Sequence, residues 1–568
     1  MPRFLTGPPP PRRRAARRLA PAIGLVGGLL LAAGAAAQTV ETGQGAYGAL
    51  PQGARNGVFV LDADAGRLFA GPRLVVVDPD GTFRYEGDDE AFDPLTAIDP
   101  RVFTVDARTT DAGQTVFAGL GFSDTAADAE EPPATAAGFA VSTDGGRTWA
   151  GRSPALDADD AVTISFGVST LDAVPVTAPQ GAPPLDLALT PGADTAYVAA
   201  AAAGLRRSTD GGATWRRVVL PPDSLVVLDP RQPQSFTVAA QGEVLPDGLS
   251  RSAEALNFFA YSVLVAEDGT VWAGTFSGLN RSVALDDADD LAWIRYLDSP
   301  FGNAPVGNHV YALEERPRDG TDEVWAACWV SPDERSAPDE EFGVVAWTGD
   351  DADGQPVFET RLLGVRVFDL AFDGARAYAA SDDGLYIADD ADVAEWRAVR
   401  VFRGADGAPL PIPEGTGVFA VAVTASDAGP STVWAGTAEG VLRSTDDGAS
   451  WTLLRASVPP RPDPLSSFVD PDAPEVDVYA YPNPFTPRTD GFARVRFDLA
   501  AADDVTVRVY DFGMRLVRTL DAPARPAGPN EVLWDGLSDR GTRVANGAYV
   551  YVVDAGGEQL SGKLLVFE

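Results

Sequence analysis

The stretch STDGGRTW, Ser142 to Trp149, returns as STDGGATW from Ser208 to Trp215 and as STDDGASW from Ser444 to Trp451. In each copy an aspartate follows an apolar run, and the glycines behind it supply the positive φ that a tight hairpin requires. A carboxylate in that place accepts hydrogen bonds from the amides of its own turn, satisfying donors that strand pairing leaves over. The tryptophan opens the next strand, where a large ring fills the space between neighbouring sheets and its burial is worth roughly a few kcal/mol.

Outward from this turn lies a longer pattern: an apolar strand of the type VWAGT, a short turn, a second strand ending in Arg-Ser, the acidic turn, and a third strand opened by Trp. TVWAGTAEGVLRSTDDGASWTLL (Thr432–Leu454) and TAYVAAAAAGLRRSTDGGATWRRV (Thr195–Val218) are its fullest copies. Units beginning at Thr270 and Arg376 keep the frame but lose the turn, and the runs near Arg67, Thr115 and Glu323 keep the first strand. The sum is about seven units of about 60 residues. Their apolar and polar residues alternate in short runs broken by Gly, Asp and Pro, the period-two signal of antiparallel strands. Radial repetition of such units predicts an all-β fold, a β-propeller of about seven blades over residues 38–460.

The segment from Ser457 to Phe485 is crowded with prolines, which break strand pairing and stiffen the chain. It predicts a linker over 461–475. Residues 476–568 then hold about six short strands with Gly or Asp turns, which predicts a small Ig-like β-sandwich.

The repeated turn resembles the Asp-box, or bacterial neuraminidase repeat, pattern S-x-D-x-G-x-x-W, as in sortilin-like and sialidase-like propellers. The resemblance implies that the boxes lie on outer hairpins of the blades. It makes Ser142, Asp144, Gly146 and Trp149 scaffold residues, with Ser208, Asp210, Gly212, Trp215 and Ser444, Asp446, Gly448, Trp451 as their counterparts. A sialidase would also carry an Arg-Ile-Pro type motif, and the nearest stretch, Pro72-Arg73-Leu74, lacks the following proline. The C-terminal unit has YPNPFTP (Tyr481–Pro487), VRVYDFGMRLVRTL (Val507–Leu520), EVLWDGLSDRGTRVANGAYVYVV (Glu531–Val553) and GKLLVFE (Gly562–Glu568), in that order. This is similar to the type A sorting domain of the type IX secretion system and to the Ig-like domain of the flagellar hook-capping protein FlgD. That resemblance implies delivery to the cell surface or medium, with the type IX secretion machinery as partner.

The other terminus agrees with export. Arg12–Arg18 is a basic region, Leu19–Ala37 is apolar, and Ala35-Ala36-Ala37 is a small-residue cleavage site, so residues 1–37 are expected to be a signal peptide. No later run is long and apolar enough to predict a transmembrane helix in the mature chain.

Acidic residues outnumber basic ones 82 to 44 for a net charge of -38, a field that repels phosphate backbones and excludes nucleic acid as a partner. Cys328 and His309 are each single, too few for a disulfide or the usual structural zinc site, and no nucleophile motif accompanies His309, which is expected to be a structural strand or loop residue. GDDADG (Gly349–Gly354) lacks the first and last ligands of an EF-hand loop, and the run Asp286–Asp290 is expected to be solvated. No catalytic residue, cofactor site or metal site is assigned. The expected function is a secreted or surface-held binding protein taking a glycan or protein ligand at the propeller mouth, where loops of all blades converge. The alternative is a secreted glycoside hydrolase of sialidase or xyloglucanase type, which needs two carboxylates across a sugar.

Overall fold

A computed structural model describes residues 58–454 and 478–567, apart from short internal stretches, the longest being 92–100, 124–133, 240–252 and 332–339. The expected signal peptide (1–37), the expected linker (461–475), Pro72-Arg73 and residues 286–289 lie outside the described residues.

Seven antiparallel sheets follow one another between Val60 and Leu454, each built around four consecutive strands of the chain. Their innermost strands are Val60–Asp64, Arg101–Thr110, Asp186–Leu189, Ala260–Val265, His309–Arg316, Val367–Asp373 and Val418–Thr424. Each of these lies beside the next, and the seventh lies beside the first, so the sheets are the blades of a closed seven-bladed β-propeller. The fourth blade gains a fifth, outer strand, Val227–Leu228.

The recurring strand of the sequence is the second strand of every blade, and the aromatic position of its VWAGT-type run carries the fold. Phe69, Phe117, Tyr197, Trp272, Trp325, Tyr378 and Trp434 stand there, all buried. Each enters the apolar core between its own blade and the next, so seven such cores run round the ring. Small residues follow the ring on the strand, as in Phe69-Ala70-Gly71 and Trp434-Ala435-Gly436, and let the neighbouring inner strand approach. At Gly436 an added Cβ would lie 2.6 Å from the Val58 carbonyl oxygen, and at Gly274 it would lie 2.7 Å from that of Val310. The seam between the seventh and first blades uses the same device: Trp434 packs with Leu68 and Ala70, and the Val58 amide donates to the Thr437 carbonyl at 2.8 Å.

One element has no counterpart in the repeat. Thr163–Phe166, Ser169–Ala173 and Thr237–Val238 form a three-stranded sheet on the excursion around the third blade, the last pair parallel. Asp157 fastens this excursion. Its carboxylate takes Nη1 and Nη2 of buried Arg206 at 2.6 and 2.9 Å, the Val176 amide at 2.7 Å, and the Arg217 guanidinium. Asp290, expected in a solvated loop, instead takes the Gly167 amide at 2.8 Å and Arg216 at 2.6 Å, tying the same sheet to the fourth blade. In the GDDADG turn, Asp351 accepts the amides of Asp353 and Gln355, both at 2.9 Å.

The C-terminal unit is a sandwich of a three-stranded sheet (Val478–Tyr481, Ala493–Leu499, Gly528–Trp534) and a four-stranded sheet (Asp503–Asp511, Leu516–Arg525, Gly547–Ala555, Glu558–Val566). Trp534, Phe497, Phe485 and Tyr551 fill the space between them. The YPNPF stretch crosses to the last strand, where Asn483 donates from Nδ2 to the Lys563 carbonyl at 3.1 Å and accepts the Leu565 amide at 2.9 Å. On the outward face of the smaller sheet Arg494 pairs with Glu439 in the seventh blade's Thr437–Gly440 turn.

Candidate functional site

The three STDGG-type turns are hairpins between the third and fourth strands of the second, third and seventh blades. In the first, the Ser142 hydroxyl donates to Asp144 at 2.8 Å and accepts the Gly146 amide at 2.9 Å. One oxygen of Asp144 accepts the amides of Arg147 and Thr148 at 2.9 Å, and the other the Thr148 hydroxyl at 2.7 Å. Ser208 and Asp210 repeat the pattern with Gly212 and Thr214, as do Ser444 and Asp446 with Gly448 and Ser450. The rings of Trp149, Trp215 and Trp451 join the core toward the preceding blade, Trp215 lying 4.8 Å from Phe139. Every polar group of the aspartates is therefore turned onto its own hairpin. Gly448 has φ +80°, and a Cβ there would meet Ile387 Cδ1 at 2.5 Å. Gly448→Ala is expected to cost about 1–3 kcal/mol, read from the denaturation midpoint; an unchanged midpoint would mean that the hairpin shifts freely.

At the axis the inner strands enclose a channel of about 270 Å³. Five of these strands carry a β-bulge against the second strand, and the residue left out of register is Phe103, Tyr261, Tyr311, Phe368 or Phe419. A bulge re-aims its side chain, and here all five line the channel, joined by Phe59 and Leu185 from the remaining blades. Rings touch in an unbroken arc from the fourth blade to the first. Tyr261–Tyr311, Tyr311–Phe368, Phe368–Phe419 and Phe419–Phe59 have centroids 4.8, 5.7, 5.4 and 5.0 Å apart.

Further along the same strands come carboxylates. Asp186 and Asp369 stand one residue after the aromatic or leucine position, and Asp62, Asp106 and Glu314 three residues after it, facing the same channel. Four of the five clasp the next blade. Asp62 accepts the Ala107 amide at 2.8 Å, Asp106 that of Leu189 at 2.5 Å, Asp186 that of Val263 at 2.8 Å and Asp369 that of Val421 at 2.8 Å. Glu314 has no hydrogen-bond or ion-pair partner among the described residues. Burial pushes Asp106 up to about 6 and Asp186 and Asp369 up to about 7, against the amides they accept. Asp62 is also raised, by burial and the charge of Asp106, and Glu314 is raised by burial and by Asp369, Asp62 and Asp106.

These carboxylates set a pH dependence opposite to that of the hairpins. The clasps hold protons more tightly in the folded chain than at the usual 3.8, so their contribution to stability falls as pH rises from there through about 7. Burial raises Asp144, but the Thr148 amide and hydroxyl, Ser142 and the Arg147 amide together outweigh it and hold the carboxyl down at about 2, and the Thr214 hydroxyl and amide hold Asp210 at about 2. That contribution is present above 3.8 and lost as pH falls toward 2. The thermal midpoint is expected to peak between about pH 4 and 5 and to fall on both sides; a midpoint still rising from pH 5 to 8 would contradict the assignment of the clasps.

His309 opens the fifth blade's inner strand behind this arc, fully buried, with Tyr261, Phe276 and Trp329 rings 4.5–5.4 Å from its own. Burial pushes its imidazole down to about 3, which suits a structural neutral ring. Cys328 is buried one strand further out with its thiol pushed up to about 12. Among the described residues no group of three His, Cys, Asp or Glu is placed to hold a metal ion, and no helix is long and apolar enough to cross a membrane. No channel residue was singled out in the sequence. The available signal was the spacing aromatic-x-x-acid, in Phe59/Asp62, Phe103/Asp106 and Tyr311/Glu314.

Residues 484–559 match the family described as the FlgD Ig-like domain. Among solved structures the chain is similar to PorZ, a surface component of the type IX secretion system of Porphyromonas gingivalis, at 15% identity and TM-score 0.38, over 90% of this chain and 66% of that one. It thus spans just under two thirds of that protein. YCF48 from Cyanidioschyzon merolae is similar at 15% identity and TM-score 0.38, over 69% of this chain and 96% of its own. FlgD from Xanthomonas campestris matches 13% of this chain and 55% of its own at 28% identity, with TM-score 0.12. No curated protein matches the chain.

Proposed function

We propose that this chain is an exported, non-catalytic binding propeller, held at the cell surface or released, whose ligand enters the axial channel. One observation carries the reading: five blades spend a bulge on turning a side chain into that channel, a distortion that pairing of the strands does not need. The hydrolase alternative is less well supported, because four of the five channel carboxylates are committed to amides of the neighbouring blade. The Asp-box turns serve as scaffold in this reading, their carboxylates spent on their own hairpins.

The signal peptide and the C-terminal Ig-like unit provide delivery, the latter by the type IX route; the family match over 484–559 and the order of the YPNPF, WDG and GKLLVFE stretches support this. Two measurements test the whole. Glycan and peptide arrays probed with the purified chain should give binding without turnover, abolished by Tyr311→Ala; steady hydrolysis of any glycan would sink the non-catalytic reading. Fractionation with mass spectrometry of the C-terminus should find the protein at the surface or in the medium, and full-length chain confined to the periplasm would remove the sorting claim.

A further inference from the structure

The channel has two chemistries along one wall, and together they specify the kind of ligand. The arc from Tyr261 to Phe59 presents aromatic surface, which attracts an organic cation through its negative π faces and shelters an alkyl chain. About 10 Å along the inner strand from Tyr311 lies Glu314, the one channel carboxylate left without a clasp. Its counterparts Asp62 and Asp106 are a methylene shorter and reach the next blade's amides.

The charges acting on Glu314 come from several blades: Asp62 on the first, Asp106 on the second, Asp369 on the sixth and Glu315 on its own strand, with Arg108 of the second and Asp186 of the third also on the channel wall. The inner strands of the fourth and seventh blades, Ala260–Val265 and Val418–Thr424, add no carboxylate or cation, the fourth contributing only the Tyr261 phenol, which burial and Tyr311 push up. Of the cations on the wall, Arg108 is drawn to Glu267 at 2.6 Å, and Arg101 stands at the start of its strand, two residues before Phe103. The channel is therefore an acidic cavity with an unneutralised carboxylate at one level and an aromatic lining at another. Scattered carboxylates and aromatic faces suit a partly dehydrated organic cation better than a hydrated metal ion.

We propose that the channel binds a primary alkylammonium ion, its carbon chain along the Tyr261–Tyr311–Phe368–Phe419 arc and its ammonium group on the Glu314 carboxylate. A free amine and a lysine side chain share this chemistry. The inference rests on the reading of the channel as a ligand site and adds the ligand's class. Binding couples to a proton: Glu314 is raised by burial and by its acidic neighbours, so it is neutral at low pH and ionises when the ammonium arrives. Affinity therefore rises with pH through the value of Glu314, with release of a proton, while the ammonium itself stays charged.

Calorimetry on the full chain tests this with n-hexylammonium chloride, 1-hexanol as its neutral counterpart, and an acetyl-lysine-amide peptide as the side-chain source, at pH 5 and pH 8 in buffers of different ionisation enthalpy. Hexylammonium is expected to bind about tenfold or more tightly than hexanol at pH 8 and to weaken at pH 5 with proton release. Glu314→Gln should lower its affinity about tenfold, abolish the proton release and leave hexanol unaffected. Tyr311→Leu should weaken the ammonium ion several-fold while keeping the proton release, which separates the two contributions should either variant be less stable. Peptide binding alongside hexylammonium points to a lysine-bearing ligand, and hexylammonium alone to a free amine; either supports the proposal. Hexanol bound as tightly as the ammonium ion, or Glu314→Gln binding it like the parent, would overturn the cation and leave the channel as a ligand site. Binding of none of the probes would overturn the ammonium proposal, whereas the channel as a ligand site falls only if the arrays also give no binding that Tyr311→Ala abolishes.

Discussion

Glu323→Ala is expected to lower the stability of the propeller by about 3–5 kcal/mol, among the largest single effects on this chain. The carboxylate opens the fifth blade's second strand at 1% exposure and is approached by Arg316 at 3.3 Å, Arg318 at 2.5 Å, Arg361 at 3.5 Å and the Trp325 indole nitrogen at 2.9 Å. Truncation leaves Arg316 and Arg361, at 5% and 6% exposure, without their shared counter-charge. Asp392, which takes Arg316 at 2.6 Å, limits the loss. Burial would raise this carboxyl, but the indole and the arginines outweigh it and hold it below its usual range. Its contribution is thus present above that range and fades as pH falls through the depressed value. Denaturant titration followed by tryptophan fluorescence measures the loss, and Glu323→Gln, which keeps an acceptor, should recover part of it. A change under about 1 kcal/mol would show that the arginines relax onto Asp392 and Glu359.

Trp272→Ala is expected to cost a similar 3–5 kcal/mol, about the range found when a fully buried large ring is removed. The ring is 1% exposed, lies 5.1 Å from Trp347 of the next blade and has the Arg281 guanidinium 5.6 Å over its face. Its loss empties the core between the fourth and fifth blades, whose backbones are held at fixed spacing by the rest of the ring and cannot close in. Trp272→Phe should cost much less. Equal costs for the two variants would show that the neighbours collapse into the gap.

The two variants fall on the two sides of what could be read in advance. Trp272 belongs to the strand that repeats visibly, because every blade needs one large ring there, followed in six of the seven by two small residues, and that common need writes a common spelling. Seven blades were legible for this reason. The inner strands share a task but no spelling: VLDAD, DLAL and HVYALEER place acids at positions facing the interior, where periodicity expects apolar residues. Four of the channel acids, all but Glu314, are met by an amide of the next blade, a partner distant in sequence, as Leu189 is from Asp106. The bulges that aim the aromatic arc are equally silent, since a bulge is a mismatch between two strands and neither strand alone records it. The extra sheet beside the third blade was unread for a similar reason, pairing Asp172 with Thr237 across the length of a whole repeat. The location of the candidate site thus followed from the fold, and its chemistry from contacts between blades.

The seam between the seventh and first blades is made without exchange of strands. The four radial strands of each blade are consecutive in the chain, and the joint at Val58 and Trp434 is chemically the same as the six others. The order in which blades are encoded is then arbitrary as far as the ring is concerned. A circular permutant that begins at another blade and joins the old ends by a flexible tether should close into the same channel, and, away from the third and fourth blades with their added strands, inserting or deleting one whole blade unit changes the circumference without orphaning a strand.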